Sequence, residues 1–224
     1  MEKELVIPAT CFYDVRLPDT PSPRRGYPFL VALHGYGGTK ESMLALAGRI
    51  CGDRFAIASL QGPHQHIQRR RGSPQSRIGF GWGTMHNPAE NQALHHEFIR
   101  GVIRDVCAAH PIDRKRIFLL GFSQSVALNY RFAFSHPNAI RGLTGVCGGI
   151  PGDWEGSSKY CRSATDIFHI SGTKDPFYPL ERVRAFKAAL ETRASSVEHL
   201  QVPTRHIFSR RCIPIIRRWL LDRA

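Results

Sequence analysis

The 224-residue sequence predicts an α/β fold, a mainly parallel central sheet with helices on both faces. Three observations carry this reading. Short continuous apolar runs (Phe29–Leu33, Phe55–Ala58, Ile117–Leu120) have the pattern of strands buried on both faces. Segments between them space their apolar residues at the helical period. Small or polar turn residues follow the runs, and in such sheets the carboxyl ends of the strands carry the chemistry.

Taken in order, residues 11–17 alternate as a strand at a sheet edge, and the proline-rich stretch 18–28 breaks it off as a loop. Strand 29–33 ends at His34-Gly35-Tyr36-Gly37-Gly38. A helix over about 40–50 presents Met43, Leu44, Leu46, Ala47 and Ile50 on one side. Strand 55–58 follows. Residues 61–88 then read as a long connection without regular structure, rich in Gly, Pro and Arg, of the kind that is usually functional. Asn87-Pro88-Ala89-Glu90 has the composition of a helix start, with Asn87 as its cap. Leu94, Phe98, Val102 and Val106 continue one face until His110-Pro111 ends it. Strand 116–120, helix 124–135, strand 140–147 and a Gly-rich loop come next, then strand 166–170, helix 179–191, strand 197–202 and a last helix over about 209–221. The length suits one domain spanning 1–224, with 61–88 and 148–162 as its active-site loops.

The chemistry is concentrated in three places. Strand 116–120 runs into Gly121-Phe122-Ser123-Gln124-Ser125 and then a helical pattern; Asp175 follows within Gly172-Thr173-Lys174-Asp175-Pro176; His206 precedes the last helix. A serine hydroxyl is a weak nucleophile at neutral pH and needs a base, which in turn needs a partner on its other ring nitrogen. Ser123, His206 and Asp175 supply these roles, in the chain order Ser, Asp, His, and point to acyl transfer to water. The tetrahedral intermediate needs preorganised N–H donors. The backbone of Gln124, next to the nucleophile, and of Tyr36, in the glycine turn, are the candidates. Trp82 and Phe177 are the candidate walls of a substrate pocket, and His34 is read as structural.

Charge excludes little but directs attention. Lys and Arg number 31 against 18 Asp and Glu, a net charge of +13, with knots at Arg69-Arg70-Arg71, Arg210-Arg211 and Arg217-Arg218. Solvated basic faces are the ordinary outcome of such runs, with weak contact to anionic surfaces as the functional alternative. No aromatic residues interleave the arginines as a stacking platform for single strands requires, which argues against nucleic acid. The first residues lack the basic start and apolar core of a secretory leader, and no apolar run approaches the roughly 18 residues of a bilayer span. A cytoplasmic protein without a transmembrane segment is the expectation. Six scattered cysteines show no zinc spacing; a Cys147–Cys161 disulfide stays open. His64, His66, His86, His95 and His96 come without acidic or cysteine partners, so no metal site is expected.

With these residues in view the chain resembles the phospholipase/carboxylesterase family of α/β-hydrolases, which includes acyl-protein thioesterases, lysophospholipases and small bacterial carboxylesterases. The resemblance covers nearly the whole chain. It rests on Leu33-His34-Gly35-Tyr36-Gly37-Gly38, on Trp82, on the block from Ile112 to Gln124, on Gly172 to Pro179, and on His206. It implies the α/β-hydrolase fold and a cofactor-free serine hydrolase of carboxylic esters or thioesters. It carries the nucleophile, acid and base roles onto Ser123, Asp175 and His206 and the oxyanion role onto Tyr36 and Gln124. Two positions depart from the family pattern: Ser125 stands where glycine is usual, and Pro203-Thr204-Arg205 precedes His206 in place of a glycine pair. The expectation is an esterase of short to medium acyl chains, with a thioesterase or lysophospholipase on the same residues, or a weakly active binding protein, as alternatives.

Overall fold

The structure is a computed structural model that describes residues 3, 5, 7, 9–69 and 75–224. Seven strands form the main sheet in the order β1-β3-β2-β6-β7-β8-β9. They are β1 (Tyr13–Arg16), β2 (Tyr27–Leu33), β3 (Ala56–Leu60), β6 (Ile112–Phe122), β7 (Gly142–Val146), β8 (Asp166–Gly172) and β9 (Ser196–Val202). β1 is antiparallel to β3, and every other pairing is parallel.

The apolar runs form strands because alternate residues feed two separate cores. In β2, Phe29, Val31 and Leu33 pack into one, Leu30 and Ala32 into the other; in β6, Ile117 and Leu119 are divided in the same way from Phe118 and Leu120. The first core is closed by α2 (Pro88–Ala109), α3 (Gln124–Ser135) and α5 (Phe186–Glu191), through Ile99, Val102, Tyr130 and Leu190. The second is closed by α1 (Lys40–Cys51) and α6 (Cys212–Leu221), through Met43, Ala47, Ile50, Ile216 and Trp219. This is the double cover that continuous apolar strands require.

Several expectations change in detail. The connection 61–88 is not irregular: it holds an antiparallel hairpin, β4 (His64–Arg69) and β5 (Ser76–Gly81), with Ile67 opposite Ile78. Its strand His-Gln-His-Ile-Gln-Arg alternates in burial yet has almost no apolar residues, so hydrophobic periodicity could not reveal it. The helix expected over 179–191 is two pieces, α4 (Leu180–Val183) and α5. Arg184 and Ala185 keep right-handed helical angles, so the hydrogen-bond ladder breaks there without a reversal of direction. Asn87 does precede α2, but in a left-handed conformation and with no side-chain cap bond; Pro at the start of the helix is as expected. β6 begins at Ile112, earlier than residue 116, because Asp113 binds the Lys115 amide at 2.9 Å and the Arg116 guanidinium at 2.8 Å and folds the entry into the strand.

All six cysteines are free, so the Cys147–Cys161 pairing does not form. Of the first arginine knot only Arg69 lies within the described residues. The Arg217 guanidinium is committed to structure, donating to the Ile50 and Arg49 carbonyls at the end of α1. No described helix is long and apolar enough to cross a membrane.

Candidate active site

Four parallel strands, in two neighbouring pairs on either side of β7, end at the carboxyl edge of the sheet: β2 before His34, β6 before Ser123, β8 before Asp175 and β9 before His206. The three residues of the Ser, Asp, His series meet there. His206 Nδ1 lies 2.7 Å from Asp175 Oδ2, and His206 Nε2 lies 2.8 Å from Ser123 Oγ. The carboxylate can only accept from Nδ1, which leaves Nε2 as an acceptor, so the serine hydroxyl donates to it.

Ser123 is held in a conformation that most residues avoid, with φ 55° and ψ −112°. Such a strained turn costs on the order of 1–3 kcal/mol and persists because its surroundings over-determine it. Its amide donates to the Val146 carbonyl at 2.9 Å. Ser125 contributes as well. It is fully buried, accepts from the Phe122 amide and reaches the carbonyls of Leu33 and Phe122, each contact at 3.1 Å. Ser125 therefore ties the turn at Ser123 to the end of β2 by its hydroxyl.

Asp175 is buried and built into its own turn. Its Oδ1 accepts from the amides of Phe177 (2.9 Å) and Tyr178 (3.2 Å), leaving Oδ2 for His206. The loop before His206 leans on this turn: Thr173 N donates to Val202 O at 2.8 Å and Lys174 N to Thr204 O at 3.0 Å. Gly172 makes the approach feasible, since a Cβ there would stand 2.5 Å from the Thr204 carbonyl oxygen and 2.9 Å from that of Arg205. Aromatic rings fix the imidazole. Phe177 meets it edge-on at 4.8 Å, Phe122 lies at 5.4 Å and Tyr178 at 6.1 Å. Beneath it Cys147 donates its thiol to the Ile207 carbonyl at 3.5 Å, and burial pushes that thiol up to about 12. Cys147 is an unreactive post under the base loop, a role its apolar sequence neighbourhood did not disclose.

The turn after β2 faces the same point. Gly37 adopts φ 75°, a conformation that favours glycine, and its amide donates to the Phe80 carbonyl of β5 at 2.8 Å. The Tyr36 amide, and that of Gln124 at the start of α3, have no backbone acceptor outside their own elements among the described residues. His34 is buried below the turn. Its Nε2 receives the Gly62 amide at 2.9 Å and the Gln61 side-chain amide at 3.0 Å, and burial holds its pKa below the usual value. It is a neutral structural histidine.

The two expected pocket residues have different fates. Trp82 is 1% exposed. Its indole N–H donates to the His34 carbonyl at 2.7 Å and its ring packs between His34 and His95, so it buttresses the turn and also lines a cavity with Tyr36 and Gln124. Its amide donates to Gln124 Oε1 at 3.0 Å, which locks the end of β5 to the residue after the nucleophile. Phe177 is 66% exposed and covers the edge of His206 at the rim. The middle of the 148–162 loop turns away from the site, since Trp154 Nε1 donates to Ala189 O and Asp153 pairs with Arg131. Cavities of about 540 and 550 Å³ border Tyr36.

A sequence profile described as phospholipase/carboxylesterase matches residues 22–220. The chain belongs to the phospholipase/carboxylesterase family. Its fold is that of the family's solved α/β-hydrolases. The carboxylesterase of Bacillus cereus superposes with a TM-score of 0.76 at 17% identity, covering 96% of each chain. The phospholipase/carboxylesterase of Dyadobacter fermentans gives 0.70 at 20% identity, covering 96% of this chain and 99% of that one. A curated relative, named "Putative esterase NocK", from Nocardia uniformis subsp. tsuyamanensis, is 24% identical over 172 residues, 73% of this chain. The match spans 44% of that relative's length.

Proposed function

We propose that this chain is a carboxylic-ester hydrolase that works through an acyl-enzyme on Ser123. The observation that carries the reading is the continuous pair of hydrogen bonds, 2.8 Å from Ser123 to His206 and 2.7 Å from His206 to Asp175. As Ser123 Oγ attacks the acyl carbonyl, His206 Nε2 takes its proton. Asp175 holds the ring in register and stabilises the imidazolium. The carbonyl oxygen becomes an oxyanion beside the amides of Tyr36 and Gln124, whose donation is available from fixed backbone. His206 then returns the proton to the departing alcohol. A water molecule, activated by the same imidazole, releases the acid and restores the serine.

Cavities of about 540 and 550 Å³ beside Tyr36 are of small-molecule size and leave room for an acyl group, for which short to medium chains are the reading put to the test. The test is turnover of p-nitrophenyl esters from acetyl to palmitoyl, beside palmitoyl thioester and lysophospholipid. Serine-dependent hydrolysis peaking at short to medium length is expected. Activity that survives Ser123→Ala would disprove the assignment. Labelling of Ser123 by a fluorophosphonate probe separates a working nucleophile from a binding protein.

A further inference from the structure

The cavity of about 540 Å³ along the turn after β2 has a mixed wall. Gly35, Tyr36 and Phe122, the residue before Ser123, line the part of it that belongs to the site. Its floor is apolar, with Met43 and Leu46 from α1 and Phe208 and Ile213 from the entry to α6. Around it stand three arginines from three elements: Arg49 of α1, Arg77 of β5 and Arg210. No Asp or Glu lines it, and none of the three arginines has a carboxylate partner within ion-pair distance among the described residues. Arg77 is aimed by a hydrogen bond from its Nε to Gln68 Oε1 at 2.7 Å.

This grouping takes one member, Arg210, from the runs of arginine visible in the chain and joins it to two isolated arginines, Arg49 and Arg77. Arg217 of the last run is spent on the end of α1, and Arg218 faces Asp222. Guanidinium groups drawn from distant elements to one apolar cavity make a site of amphiphilic character, with a dry floor for a hydrocarbon segment and a cationic rim for an anion. Like charges held together without counter-ions raise the local potential and favour an anionic ligand.

We propose that this cavity selects esters that carry an anionic group, a carboxylate or a phosphate, separated from the scissile carbonyl by a short apolar spacer. Arg49, Arg77 and Arg210 are the specificity-determining residues. The proposal rests on the esterase reading and narrows its substrate class. Because the arginines are exposed, their attraction is screened by salt and moderate in size. Because they stand away from the reacting atoms, they act on substrate binding, so the effect falls on KM and leaves kcat nearly unchanged.

The experiment pairs esters of matched length. On the acyl side, the mono-p-nitrophenyl esters of adipic and suberic acid are compared with p-nitrophenyl hexanoate and octanoate. On the alcohol side, 6-acetoxyhexanoate is compared with hexyl acetate, and 3-acetoxypropyl phosphate with pentyl acetate, in a pH-stat. The expected result is a kcat/KM about tenfold or more higher for the anionic member in at least one series. That advantage should shrink in 0.5 M KCl and vanish in the triple variant Arg49→Gln, Arg77→Gln, Arg210→Gln. The neutral esters report that the variant is folded and should change less than about twofold. Turnover of neutral esters with no anionic advantage in either series overturns the selectivity alone. An advantage that survives the triple variant overturns the assignment to these arginines. Absence of turnover on every ester, with Ser123 unlabelled by fluorophosphonate, overturns the esterase reading together with it.

Discussion

The turn at Ser123 and the loop before His206 each carry side chains where the resemblance leads one to expect glycine, and the fold accommodates the two by different means. At the nucleophile turn, Ser125 takes a glycine position and its hydroxyl becomes a fastener between Phe122 and Leu33. The added atoms make their own bonds. At the base loop, Pro203-Thr204-Arg205 supply no such side-chain bond to the site. The loop is held from outside, by amides of the Asp175 turn and by the missing Cβ of Gly172. One departure is self-compensated and the other depends on a neighbour, so perturbing the two sides should have unequal consequences for catalysis.

The largest effect should come from cutting the base side at its chemical link. Asp175→Asn keeps an oxygen able to receive the Phe177 and Tyr178 amides but loses the carboxylate that holds the His206 tautomer. We expect kcat to fall by about 10⁴-fold while the fold persists. Circular dichroism and single-turnover hydrolysis check both halves. The next largest effect tests the borrowed support. Gly172→Ala places a methyl against two backbone oxygens of the base loop, neither of which can rotate away. A displacement of His206 by a fraction of an ångström to an ångström should lower kcat by about 10²-fold. KM should move little. If kcat is unaffected, the base loop holds itself and the contrast fails.

This asymmetry also explains what could be read in the chain. The strands β2, β3 and β6 and the Ser123, Asp175 and His206 series were legible, because apolar runs and turn residues are local signals. The Gln124 and Tyr36 amides were candidates from their place next to strand ends, and the structure leaves both without a backbone acceptor outside their own elements among the described residues. The hairpin β4–β5 was not legible. Its first strand has a single apolar residue, Ile67, and its attachment to the site runs through backbone bonds from Phe80 to Gly37 and Gly38 that leave no mark in composition. Trp82 was legible as a residue of the cavity beside Tyr36 and Gln124, but its indole bond to the His34 carbonyl was not, since a side chain's partner depends on what lies behind the turn. The meeting of Arg49, Arg77 and Arg210 is a product of tertiary folding and has no sequence spacing at all.

Acid should act on the oxyanion side more than on the base side. His34, His95 and His96 are all kept neutral there. Burial lowers His34, brings His95 to about 3 and His96 to about 4. On the β8 side His169 is held at about 3 for the same reason. The unfolded chain binds these protons near pH 6.5 and the folded chain resists them, so stability is fully present above about pH 6.5 and is lost as pH falls toward 4. A urea midpoint that declines over this window is expected. Hydrogen exchange should show residues 82–96 opening at higher pH than residues 166–172. A flat midpoint from pH 7 to 4.5 would remove the buried histidines as the cause.

The smallest expected effect on catalysis is the one that most sharpens the contrast. Ser125→Ala deletes the hydroxyl while keeping the Cβ, so the space at the turn is unchanged and only the bonds to Phe122 and Leu33 are lost. Leaving buried backbone groups without that partner should cost about 1–3 kcal/mol of stability. The strained φ of Ser123 has other supports, the Val146 carbonyl on its amide and the bond to His206 on its side chain. The nucleophile should therefore stay in place, with kcat within about threefold of the parent. Thermal denaturation and ester kinetics on the same preparation decide the matter. A stability loss with activity retained means that the serine fastens the fold and not the reaction. A 10²-fold fall in kcat at unchanged stability would mean that the nucleophile turn, like the base loop, leans on a neighbour to place its catalytic group, and the two sides would be alike after all.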